Sequence, residues 1–210
     1  MSARDLLKQY LDQCPLIAII RGVTPADAEA IGEALYEGGI RIVEVPLNSP
    51  DPLRSIEILA SSLGDRMLVG AGTVLAVEQV HAVKAAGGQL VVSPDTNVDV
   101  IAAAAKAGMV SSPGYFTPSE AFAALRVGAH GLKLFPAEGA TPAVLKGQLA
   151  VIPKDVPVLP VGGITPDNMQ PWLDAGASGF GLGSGLYKPG QSPAETLAKT
   201  RAYVAGVKGR

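Results

Sequence analysis

TPSEAFAALRVGAHGLKLFP, Thr117–Pro136, holds one complete structural unit. Thr117 before Pro118 supplies an N-cap and a first-turn proline, so a helix is expected over Pro118–Val127. Gly128, in Val127-Gly128-Ala129, ends that helix in the left-handed conformation. Gly131–Phe135 then reads as a short buried strand. The same cycle recurs along the chain. Glycine turns stand at Glu37-Gly38-Gly39, Ala86-Gly87-Gly88, Ala107-Gly108 and Ala175-Gly176-Ala177, and Thr-Pro helix starts at Thr24, Thr141 and Thr165.

By the same signals the expected strands are Ile17–Arg21, Arg41–Leu47, Met67–Thr73, Gln89–Ser93, Met109–Ser112, Gly131–Phe135, Val156–Val161 and Gly179–Gly183. Helical stretches such as Ala26–Glu37, Val77–Ala86 and Val98–Ala107 separate them. Strands alternating with helices pair in parallel through crossovers. Eight such units in 210 residues predict a compact (β/α)₈ TIM barrel, forming a single domain over residues 1–210 behind a short N-terminal helix. A doubly wound sheet is disfavoured, because Arg21-Gly22-Val23-Thr24-Pro25 stands where a G-x-G-x-x-G would follow the first strand.

Composition excludes several classes of function. With 48% hydrophobic and 17% charged residues, the chain is expected to be globular rather than disordered. A net charge of −2 and no basic cluster give no electrostatic support to a nucleic-acid or membrane partner. No apolar run is long enough to span a bilayer, and Met1–Gln13 lacks the apolar centre of a signal peptide. The lone Cys14 rules out an internal disulfide and fits a reducing compartment, so a cytoplasmic protein is expected. His81 and His130, the only histidines, belong to no cluster with metal-ligand spacing. Both read as solvated helix or loop residues, and no metal is expected.

Chemistry in a barrel gathers at the C-terminal ends of its strands. In order, these ends offer Arg21, Glu44 with Asn48, Thr73, Ser93-Pro94, Ser112-Pro113, Lys133 with Phe135, Val161-Gly162-Gly163 and Gly183-Ser184. Lys133 and Glu44 each interrupt an otherwise apolar strand. A desolvated lysine must be paired, exposed at the strand end or neutral, and a neutral one is a nucleophile toward ketones. The alternative is a buried structural ion pair between the two. Gly162, Gly163, Gly183 and Ser184 offer backbone N–H groups and a hydroxyl to a phosphate, or simply form tight turns. Arg21 and Thr73 suit a carboxylate, or are a surface charge and a loop residue bonding its own backbone. Phe135 and Trp172 read first as packing residues.

At these positions the chain resembles the class I 2-keto-3-deoxy-6-phosphosugar-acid aldolases. The resemblance rests on Leu16–Gly22, Glu44-Val45-Pro46-Leu47-Asn48-Ser49-Pro50, Gly70–Val74, Leu132-Lys133-Leu134-Phe135-Pro136, and Val161-Gly162-Gly163 with Gly181–Ser184. It implies a homotrimer of (β/α)₈ barrels acting on a phosphorylated keto acid with no cofactor. It further implies Lys133 as Schiff-base lysine and Glu44 as acid/base acting through water. Arg21 and Thr73, with Pro94 and Phe135, would form the pyruvate end, and Gly162, Gly163, Gly183 and Ser184 the phosphate cradle. Asn48 and Val161 match the 6-phosphogalactonate branch rather than the gluconate branch, so they are expected to govern C4 specificity. Phe116 stands where a smaller residue is expected, at the site mouth. Two competing readings keep the barrel: a phosphosugar isomerase or epimerase using Glu44 as base, and a sugar-phosphate binding protein without catalysis.

Overall fold

The computed structural model describes residues 2–207. Helix α1 (Ala3–Gln13) opens with a reciprocal cap in which Ser2 Oγ accepts the Asp5 N–H and the Asp5 carboxylate accepts the Ser2 N–H. There follow β1 (Leu16–Ile19), α2 (Pro25–Gly38), β2 (Ile42–Pro46), α3 (Pro52–Leu63), β3 (Leu68–Gly72), α4 (Val77–Ala85), β4 (Leu90–Val92), α5 (Val98–Lys106) and β5 (Val110–Ser112). The remainder is β6 (Gly114–Tyr115), α6 (Pro118–Arg126), β7 (Leu132–Leu134), α7 (Pro142–Leu149), β8 (Val158–Pro160), α8 (Met169–Asp174), β9 (Phe180–Leu182) and α9 (Pro193–Val207). All five expected glycine turns contain a left-handed glycine: Gly39, Gly87, Gly108, Gly128 and Gly176.

The caps are less uniform than the Thr-Pro pattern predicts. Thr117 and Thr141 accept backbone N–H groups at the starts of α6 and α7. Thr24 makes no such bond, and its hydroxyl donates to Asp27 at 2.7 Å. Thr165 precedes a 3₁₀ turn, Pro166–Asn168, before α8.

Every strand pair is parallel. One sheet has the order β5-β4-β3-β2-β1-β9 and a second the order β6-β7-β8. The division differs from the eight continuous strands expected. Pro113, which lacks a ladder donor, separates β5 from β6, and Gly114–Tyr115 pairs with β7. The sheets also approach between β8 and β9, where Val161 and Gly181 form an isolated parallel bridge.

Alternation along the strands divides the buried side chains into two clusters. Val43, Val45, Leu132 and Leu134 join the larger cluster with helix residues such as Ile31, Leu35, Ile56 and Leu59. Ile17, Ile42, Leu68, Leu90, Val110 and Leu159 form the other, drawing on both sheets, and Leu7 and Leu11 of α1 close it. Glu44, two residues beyond Ile42, therefore faces this second interior. Lys133, between Leu132 and Leu134, does so as well. The period of two puts both charged groups into one space.

Candidate active site

The decisive pair lies in that interior. Glu44 on β2 is 2% exposed and Lys133 on β7 is 8% exposed. Together with Ile17, Ile19, Val92, Ser112, Leu159, Val161 and Gly181 they line a cavity of about 10 Å³, room for about one water molecule. Space for the carboxylate comes from Gly72, where a β-carbon would lie 1.9 Å from Glu44 Oε2. Gly181 makes room in the same way for Val161, at 2.7 Å. A larger hollow of about 980 Å³ lies beside α1, among residues such as Arg4, Lys8 and Lys154. It holds none of the expected site residues, and the titratable pair inside the sheets is the stronger marker of chemistry.

Electrostatics distinguish this pair from a structural ion pair. Among the described residues no salt bridge joins Lys133 to Glu44, and Glu44 Oε2 has no hydrogen-bond partner. Burial drives the Glu44 carboxyl up to about 7, while Lys133 and then Arg21 pull it down. Burial also lowers the Lys133 amine below its usual range; Glu44 opposes that shift and Arg21 adds to it. Both groups thus exchange protons more readily near neutrality than their free forms would. The Lys133 Nζ stands 4.6 Å from the centre of the Phe135 ring.

The remaining expected residues fall at varied distances from this centre. Arg21, the end expected for that strand, instead lies exposed in the turn two residues after β1 and donates to Asn48 Oδ1. Alongside, the Gly22 N–H donates to Ser49 Oγ at 2.9 Å, so the loops after β1 and β2 are tied together. Thr73 is half-buried at φ +55°, a left-handed conformation that costs a non-glycine residue energy and clusters at functional sites. Its loop is pinned by Ser93, whose buried hydroxyl donates to the Val74 carbonyl at 2.8 Å. Val161 lines the cavity. Pro94 does not, and its carbonyl instead packs on Gly114, 2.3 Å from where a β-carbon would be.

Gly162 and Gly163 adopt φ +114° and +65° after β8, and Gly183 opens a turn whose carbonyl accepts from Leu186 and Tyr187. Ser184 is exposed on that turn. Phe116 is exposed, with its ring edge 3.5 Å from where Gly139 would carry a β-carbon. Trp172 is buried in the helix-side cluster, as expected. His81 is exposed, but His130 is not the solvated residue expected. It is half-buried, its Nδ1 accepts the Ser111 N–H at 3.1 Å, and burial lowers its pKa. Ser112, one of the strand-end residues the sequence offers without an assigned role, lines the same cavity as Lys133. Alternation with Val110, which joins the same interior, is the signal that could have found it. Among the described residues no group of three His, Cys, Asp or Glu could hold a metal ion, and no helix is long and apolar enough to cross a membrane.

The family model for KDPG and KHG aldolase matches residues 7–201. The chain belongs to this aldolase family. Over 196 residues it is 46% identical to the 2-dehydro-3-deoxy-6-phosphogalactonate aldolase of Escherichia coli (strain K12), covering 93% of this chain and 96% of that one. A native KDPGal structure superposes with a TM-score of 0.91 at 46% identity, covering 92% and 94% of the two chains. The KDPG aldolase of Legionella pneumophila, with pyruvate captured at low pH as a covalent carbinolamine intermediate, matches with a TM-score of 0.78 at 30% identity over 94% of each chain. Among KDPG-family aldolases, then, the buried lysine and carboxylate are the first candidates for the chemistry.

Proposed function

We propose that this aldolase cleaves 2-dehydro-3-deoxy-6-phospho-D-galactonate to pyruvate and D-glyceraldehyde 3-phosphate through a Schiff base on Lys133. The observation that carries the reading is the unpaired, desolvated couple Lys133–Glu44 on one interior face. Lys133 Nζ attacks the C2 ketone, and loss of water from the carbinolamine leaves a protonated imine. Glu44, acting through a water, supplies and accepts the protons of that step. It then takes the C4 hydroxyl proton as the C3–C4 bond breaks and its electrons pass to the imine. The aldehyde departs, the enamine is protonated at C3, and hydrolysis frees pyruvate and the lysine. The imine is the electron sink, so this mechanism calls for no metal or organic cofactor. Proton transfers of this kind are each worth ~10²–10⁴-fold.

Around the couple, we assign Arg21 and Thr73 to the substrate carboxylate, with Phe135 beside the pyruvate unit and Pro94 supporting its wall through Gly114. Gly162, Gly163, Gly183 and Ser184 take the phosphate, and Val161 and Asn48 read the C4 configuration. The carbinolamine described for the Legionella relative supports the lysine chemistry, and the 46% identity to the E. coli enzyme supports the galactonate series. The Val161–Gly181 bridge, and the direct chain continuity of β5 into β6, support closure of the two sheets into one (β/α)₈ barrel as a single domain. Homotrimeric assembly and a cytoplasmic setting complete the proposal, the latter supported by the single Cys14.

Incubation with pyruvate and borohydride tests the lysine directly. A reduced three-carbon acid should appear on Lys133, and Lys133→Met should abolish both the adduct and cleavage. An unmodified wild-type protein that still exchanges substrate protons with solvent would instead favour an isomerase.

A further inference from the structure

Five residues beyond Lys133, the 3₁₀ turn Ala137–Gly139 carries Glu138 onto the glycine pair after β8. A β-carbon on Gly162 would lie 2.0 Å from Glu138 Oε2 and 3.1 Å from Oε1, and one on Gly163 would lie 2.8 Å from Glu138 Cγ. The carboxylate therefore rests against the backbone of Gly162. Its turn is firmly seated: the Ala137 N–H donates to the Val161 carbonyl at 2.9 Å and the Gly139 N–H to the Pro136 carbonyl at 3.0 Å. The side chain itself is exposed, and among the described residues no cation pairs with it. Packing alone keeps a negative charge over two glycines assigned above to a phosphate.

A phosphate held by the Gly162 and Gly163 N–H groups would meet this carboxylate at close range, and two anions so placed repel each other. We infer that Glu138 is a displaceable occupant of the phosphate cradle, which the substrate phosphate must push aside, so that Glu138 limits affinity for the phosphorylated end. The backbone of the turn stays in place while the side chain rotates toward solvent. A carboxylate displaced to about 6 Å from a phosphate dianion in water still weakens its binding about tenfold. The inference rests on the aldolase and phosphate-cradle reading proposed above.

Steady-state cleavage by wild type, Glu138→Gln and Glu138→Ala tests it, with inorganic phosphate as competitive inhibitor. Both variants should lower KM and the phosphate inhibition constant by about tenfold, the effect of one removed charge, while kcat holds. Constants that are unchanged or raised overturn the inference, because a packing residue or a direct ligand behaves in those ways. A wild-type crystal soaked in inorganic phosphate serves even if the variants fold poorly. The Glu138 carboxylate should have left Gly162; phosphate bound on the glycine pair with Glu138 still in place, or bound elsewhere, overturns the inference. Failure of the wild type to form the borohydride adduct would instead remove the aldolase reading itself.

Discussion

Gly72 and Glu44 fit each other as hollow and plug. The carboxylate occupies the space that any side chain on Gly72 would need, with 1.9 Å between Oε2 and the position of the missing β-carbon. Residue 72 closes β3 and residue 44 lies inside β2, and the parallel register that pairs Pro46 with Gly72 brings them together. The carboxylate is buried without an ion pair because a neighbouring strand gave up its side chain.

Gly72→Ala should therefore clash with Glu44 and cost about 1–3 kcal/mol, the usual range for overpacking a tight core. In a Glu44→Ala background the same change should cost almost nothing. A double-mutant cycle by urea unfolding should report a coupling of at least about 1 kcal/mol. Additive effects would mean that the strands shift and the fit is not rigid.

Stability should also follow the protonation of Glu44. Its folded pKa of about 7 exceeds the ordinary 4.5, so folding takes up a proton between those values. The associated stability is fully present below pH 4.5 and lost as pH rises through about 7. A shift of that size corresponds to roughly 3 kcal/mol. Glu44→Gln cannot ionise, so it should gain stability over wild type between pH 5 and pH 8, read from urea midpoints at the two values. Parallel pH dependences would place the titration elsewhere. In wild type, kcat/KM should rise as pH passes through about 7, where the carboxylate becomes able to accept the C4 hydroxyl proton.

Thr73 holds a left-handed φ of +55°, and glycine would adopt it without strain. Thr73→Gly should stabilise the fold by about 1 kcal/mol while raising KM for the keto acid, since the hydroxyl assigned to its carboxylate is gone. A thermal melt and one kinetic series decide it. Lower stability with unchanged KM would reduce Thr73 to an ordinary loop residue.

Val161 presents its methyl groups to the cavity wall and to Gly181. Val161→Thr keeps the shape and adds a hydroxyl donor, so the ratio of kcat/KM for the two C4 epimers should move toward the gluconate series. Steady-state cleavage of both epimers measures it, and an unmoved ratio would leave specificity to Asn48 and its bond to Arg21.

The alternation of strands and helices was legible in the sequence because glycine turns, Thr-Pro starts and apolar runs are local signals. All five glycine turns lie where the pattern put them, and the two charged residues in apolar strands stood out as costly to bury. The interruption at Pro113 was readable in principle, since proline cannot donate to a ladder, but its division of the strands between two sheets depends on what β6 meets. His130 looked solvated because nothing in its neighbourhood reveals that its ring turns inward to receive the Ser111 N–H.

The residue types by themselves determined that Lys133 and Glu44 interrupt apolar strands and would be costly to desolvate there. Folding in three dimensions alone settled that they share one small cavity without pairing, that Gly72 makes room for the carboxylate, and that Glu138 lies on the Gly162–Gly163 backbone. Periodicity acts through neighbours in the chain, whereas these contacts join strands and turns that meet only when the two sheets close on a common interior.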